Sequence, residues 1–153
     1  MIRIGKLTDY AIVLLTHFAR QPQGALLNAR DLAAEAHIPF PTANKVLRSL
    51  CRAGLLMSHR GVKGGFFLAR RAEEVSVAAI ISAIDGPLTL TECSSTAPGL
   101  CDLEPVCPTR TNWMKINQTV AKALDGLTLR DMAGPAQGAM GHTLSIVARS
   151  QRA

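Results

Sequence analysis

At 153 residues, 48% of them apolar, the chain holds material for one core, or one small domain with an extension, and needs no disulfide staples to fold. Its net charge of +6 is one-sided: residues 1–75 carry 11 Lys and Arg against 5 Asp and Glu, whereas residues 76–153 carry 6 of each. A basic half suits a phosphate backbone, through counterion release on binding, although a merely solubilising surface has the same composition.

The first predicted element is an apolar helix from about Thr8 to Arg20, with Ile12, Leu15 and Phe18 facing inward, ended by Gln21-Pro22-Gln23-Gly24. Arg3, Lys6 and Asp9 interrupt the start and argue against a secretory leader. The apolar run from Tyr10 to Ala19 contains His17 and is about half the ~20 residues of a membrane span. A cytoplasmic protein with no membrane partner is therefore expected, in which free thiols bind metal or do redox chemistry rather than pair.

Asn28 and Asp31 form a capping pattern for a short helix near 29–36, and the tight link His37-Ile38-Pro39-Phe40 leads to a second helix over about 41–53, with Pro41 as its first residue and Gly54 as its stop. Ala43, Val46, Leu47, Leu50 and Cys51 share the apolar face of that helix; Thr42, Asn44, Lys45, Arg48 and Arg52 share the other. Two short helices around a tight turn read as a helix-turn-helix, the alternative being a plain helical hairpin with a solvated basic face.

Leu55–Ser58 and Phe66–Leu68 flank a loop containing Gly61, Gly64 and Gly65, which predicts a hairpin with Arg60 and Lys63 at its tip. Placed after a recognition helix, it is the wing of a winged helix, and Arg60 is positioned for a minor groove or for phosphates. The expected DNA-contact set is Pro41, Thr42, Asn44, Lys45 and Arg48 on the helix, with Arg60 and Lys63 on the wing. A nucleotide-binding loop is disfavoured, because the GxxxxGK[ST] pattern is missing.

Ser76 is a candidate cap for a helix from Val77 to Asp85, closed by Gly86-Pro87. Then Cys93, Cys101 and Cys107 follow, separated by seven and five residues, in a stretch that Pro98, Gly99, Pro105 and Pro108 keep irregular. Three thiols on one loop are how a chain prepares a metal or cluster site, and thiolates select iron–sulfur or zinc. A structural zinc site wants four protein ligands, and three are evident. Cys51 reads as core.

Thr109 to Asp125 is the longest helical pattern of this half, with Trp113, Ile116, Val120, Ala123 and Leu124 on one stripe. Little of the chain is left to cover it, so pairing with the same helix of a second copy is expected; packing back on its own domain is the alternative. A flexible tail is expected from about residue 133. The fold class is thus mainly α: a winged helix-turn-helix with a small hairpin wing over 1–75, a cysteine loop and long dimerisation helix over 76–132, and a tail over 133–153.

The segments KLTDYAIVLL, SHRGVKGGFFLAR and AAIISAIDGP together with the three-cysteine loop resemble the Rrf-two family of winged-helix transcription regulators, over roughly residues 1–132. Within it the chain is similar to regulators of SUF iron–sulfur cluster assembly, whose relatives are the IscR-type cluster regulators and the NsrR-type nitric-oxide sensors. The resemblance implies a homodimer on a double-stranded DNA operator, acting as a repressor; an enzyme is not expected, because no Ser/His/Asp set, paired carboxylates in a cleft or nucleotide loop can be assembled from the sequence. It also implies an iron–sulfur cluster on Cys93, Cys101 and Cys107, with the 2Fe–2S form preferred to 4Fe–4S.

By position, Asn44 matches a residue that discriminates between DNA motifs in IscR-type proteins, and Arg60 matches the wing arginine. The IscR-type histidine three residues after the third cysteine is Arg110 here, and the first cysteine gap is longer, so that ligand is not inherited. Asp9 matches the N-terminal aspartate that is the fourth ligand, across the dimer, in NsrR-type sensors; otherwise Thr8-Asp9 serves the first helical turn. Two rivals remain: a nitric-oxide, thiol or zinc redox-sensing repressor, and, in another class, an iron–sulfur carrier or electron-transfer protein, for which a wing has no use.

Overall fold

The computed structural model describes residues 3–61, 63–94 and 101–134. Within them lie α1 (Lys6–Ala19), α2 (Ala29–Glu35), α3 (Phe40–Arg52), β1 (Leu56–His59), β2 (Gly65–Leu68), α4 (Val77–Asp85), α5 (Arg110–Asp125) and α6 (Leu129–Ala133). The expected tail lies largely outside the described residues.

Helix α1 is the centre of the fold, because it is apolar on more than one side. Ala11, Ile12, Leu15, Phe18 and Ala19 form one buried stripe and Leu14 a second, so that α1 packs at once against α3, α4 and α6. From α3 the core takes Ala43, Val46, Leu47 and Leu50, the face that the sequence marks as apolar. Cys51 packs at the edge of this core, and burial raises its thiol pKa.

Two helix ends fix the helix-turn-helix. Asn28 Oδ1 accepts the Arg30 N–H at 2.8 Å and so caps α2. At its other end His37 takes a left-handed conformation, φ 54°, with its N–H on the Ala34 carbonyl and the Ile38 N–H on the Ala33 carbonyl. This double closure is a Schellman motif, which turns the chain sharply and buries Ile38. Helix α3 starts one residue earlier than the sequence suggests, at Phe40, with Pro41 still in the first turn. It ends in the same closure around Gly54, φ 72°, through Gly54 N–H to Cys51 O and Leu55 N–H to Leu50 O, both 3.0 Å.

The wing is an antiparallel pair in which Leu56 faces Leu68 and His59 faces Gly65. Leu27 adds a third edge by exchanging both backbone hydrogen bonds with Phe66 at 2.9 Å. Gly65 is required here, since a Cβ would sit 2.5 Å from the Leu27 carbonyl oxygen. The wing is therefore joined by two backbone hydrogen bonds to the segment leading into α2.

The short helix α6 is the element the sequence reading did not anticipate. Thr128 and Asp131 cap it reciprocally, and Leu129 is fully buried in the core around α1. Arg130 secures it, donating Nη1 to the Ala19 carbonyl and Nε to Glu73 Oε1, each at 2.9 Å. By contrast α5 has no buried residue: Trp113 and Ile116 are 40% and 45% exposed, and only the Leu124 end meets the core. Asn117 ties its middle to the approach of the cysteine loop, donating to the Leu88 carbonyl at 3.1 Å and accepting from the Leu90 N–H at 3.0 Å.

Candidate nucleic-acid interface and metal centre

The outward face of α3 carries the residue types the sequence singled out. Pro41, Lys45 and Arg48 are exposed, and Thr42 and Asn44 are half-buried between them. Arg60 and Lys63 stand exposed at the wing tip. None of these four cations has a carboxylate partner among the described residues, so their charge is available to an anion. A helix presenting short polar groups at its start and cations farther along can enter a major groove, while a basic hairpin reaches the flanking backbone.

The cysteine loop leaves α4, whose Ile80 and Ile81 pack in the core that α3 shares, and returns through α5. Cys93 sits in a 3-10 turn over Glu92–Ser94, with its sulfur 3.3 Å from the Thr91 hydroxyl. Cys101 and Cys107 lie on the irregular return, and all three thiols are free and half-buried. The Thr109 hydroxyl, 3.4 Å away, and the backbone N–H groups of Thr109 and Arg110 hold the Cys107 thiol below its ordinary pKa. Three free thiols, one of them held toward the thiolate, fit a soft metal or cluster, so the donor set suits the group the resemblance implies.

Arg110 is committed elsewhere: it pairs with Glu104 at 2.7 Å and closes the span from Cys101 to Cys107. Asp9 is exposed on the first turn of α1. Its neighbour Thr8, instead of capping that turn, is fully buried and donates to Asp85 Oδ2 at 2.7 Å. Among the described residues no three His, Cys, Asp or Glu side chains converge on one point. The protomer carries the donors without gathering them.

A winged helix-turn-helix with an unpaired basic recognition face defines the class: a DNA-binding transcription regulator. The model of the Rrf2 family, iron-dependent transcriptional regulator, matches residues 4–135, and the chain belongs to that family. It is 33% identical over 138 residues to a protein of Mycobacterium tuberculosis named as an HTH-type transcriptional regulator, covering 88% of this chain and 83% of that one. It is 28% identical over 131 residues to the HTH-type transcriptional regulator NsrR of Halalkalibacterium halodurans, covering 86% and 90%. The structure of CymR, the global cysteine regulator of B. subtilis, superposes with a TM-score of 0.69 at 26% identity, covering 87% of this chain and 97% of that one. No helix among the described residues is long and apolar enough to cross a membrane.

Proposed function

We propose that this regulator works as a homodimer whose cysteine loop holds an iron–sulfur cluster and reports cluster status to genes of iron–sulfur assembly. The observation that carries the reading is the placement of three free, half-buried thiols on the one loop that joins α4 to α5. That loop is tied where it leaves α4. Asn117 of α5 holds Leu88 and Leu90, ahead of Cys93, and Asp85, at the end of α4, accepts from Thr8 beside Asp9.

Cys93, Cys101 and Cys107 would hold the cluster, and Asp9 of a second copy is the candidate fourth ligand. When bound, a cluster supplies a redox- and nitric-oxide-sensitive link between the thiolates. The protein's part is conformational. Bridged together, the three thiols would tie the chain leaving α4 to the chain entering α5, and α4 packs against α3, so bridging biases how two winged helices are presented to two half-sites. The exposed Trp113 and Ile116 face of α5 supplies the apolar surface on which the two copies meet. Pro41, Thr42, Asn44, Lys45, Arg48, Arg60 and Lys63 make the DNA contacts.

The direct test is anaerobic purification followed by visible absorption and iron analysis. The expected result is a coloured, iron-containing protein that loses both on Cys→Ala replacement at 93, 101 or 107. A colourless protein carrying zinc would replace this reading with a second one, bare-thiol or zinc sensing, to which the acidified Cys107 thiol lends its own support.

A further inference from the structure

The turn between α2 and α3 carries a pair that neither the apolar pattern nor the basic face of α3 accounts for. Phe40, the first residue of α3, leaves about a third of its surface in solvent. Over its ring lies the guanidinium of Arg30 from α2, 4.9 Å from the centroid. An exposed aromatic at the tip of a recognition helix is expensive in water, and here its face is spent on orienting a cation.

Arg30 has no carboxylate partner among the described residues. The acids of α2 face other groups: Glu35 pairs with His17 at 3.4 Å, and Asp31 and Glu35 line the cavity between α2 and the wing, opposite Lys63. Arg30 is the lone cation of α2 and stands at the edge where α3 begins. In a helix-turn-helix the first helix crosses the phosphate backbone while the start of the second reads base edges. We propose that Arg30 is a DNA-backbone contact of this regulator, and that Phe40 is its positioning residue, holding the guanidinium over its ring so that the free N–H groups can meet a phosphate. The pair extends the interface beyond α3 and the wing, to a residue in the half of the motif usually treated as support. It rests on DNA binding alone and not on the cluster.

The experiment is fluorescence anisotropy of the full-length protein on a random-sequence duplex, over a salt series, for wild type, Arg30→Gln, Arg30→Lys, Phe40→Leu and the Arg30→Gln/Phe40→Leu double variant. Each phosphate contact adds about 0.9 to the slope of log affinity against log salt. Arg30→Gln should therefore, for each protomer bound, lower that slope by about 0.9 and weaken binding about eightfold in ~0.1 M salt, whereas Arg30→Lys keeps the slope. Phe40→Leu should weaken binding about two- to fivefold in the Arg30 background and have no effect in the Arg30→Gln background. Thermal melts report whether each variant is folded. A slope unchanged by Arg30→Gln in a folded protein overturns the phosphate contact, and equal effects of Phe40→Leu in both backgrounds overturn the positioning role. Failure of the wild type itself to bind any duplex would instead remove the DNA-binding reading beneath it.

Discussion

The Thr8 hydroxyl donates to Asp85 Oδ2 at 2.7 Å, joining the first turn of α1 to the last residue of α4 across 77 positions of sequence. Gly5 shares the contact: a Cβ there would lie 3.0 Å from the same carboxylate oxygen. The carboxylate thus takes up space and a hydrogen bond at the start of α1, where Gly5 as N-cap offers no side chain. Thr8→Val keeps the shape and removes the donor, and should cost about 1–2 kcal/mol in urea unfolding. Gly5→Ala should also destabilise, and because both changes act on one carboxylate their effects should not add. Additive losses would mean that the two contacts are independent.

Stability at acid pH should show the cap of α6. The Thr128 backbone N–H and hydroxyl hold the Asp131 carboxyl below its ordinary pKa. A depressed folded-state pKa contributes stability that is complete above the unfolded carboxylate value, about 3.9, and is lost as pH falls through the lower folded value. The gap in urea midpoint between wild type and Asp131→Asn should therefore be present at neutral pH and close in acid. A gap that stays constant across the titration would assign the loss to geometry alone.

On DNA, the two halves of the interface should separate. If each protomer neutralises ~3–5 phosphates, log affinity against log salt should slope at roughly −5 to −9 for a dimer. Arg60→Ala and Lys63→Ala should weaken all sequences alike. Asn44→Ala should change which bases are preferred, by about 1–3 kcal/mol for a bidentate contact. Binding selections from a randomised duplex pool measure this, and an unchanged preference with Asn44→Ala would remove Asn44 from the readers.

The exposed stripe of α5 makes a prediction about assembly. Ile116→Glu places a charge in the middle of that stripe and should convert a dimer to monomers in sedimentation. The chain has a single tryptophan, Trp113, one helical turn away. Its emission should shift to the red as wild type is diluted through dissociation, and the variant should show the red-shifted spectrum at every concentration. Monomeric wild type, or a dimer that survives Ile116→Glu, would place the interface elsewhere.

Local patterning made most elements legible. The caps Asn28 and Ser76, the stop at Gly54 and the alternation of apolar and basic residues along α3 are short-range signals, and each element they mark lies within a residue or two of its expected bounds. Helix α6 escaped because five residues are too few for a periodic signal, although Thr128 and Asp131 carry a capping box that a reader could have used. The Thr8–Asp85 link was illegible for a different reason: nothing in either local sequence points to a partner 77 residues away. Arg30 carries no local signal of this role: composition places it on a helix with two acids, and only the packing of the turn brings it over Phe40. For the cysteine loop the residue types were readable but their convergence was not, since irregular chain carries no period from which positions can be computed.

Loop thiolates should change what the winged helices do on an operator. Operator affinity of one anaerobic preparation, before and after removal of its iron by a chelator, decides this, with Cys101→Ala carried through the same steps. Wild type should change affinity strongly on stripping, and Cys101→Ala should show a single affinity, equal to that of the stripped wild type, whether or not it was treated. Equal affinity of the wild type before and after stripping would contradict it.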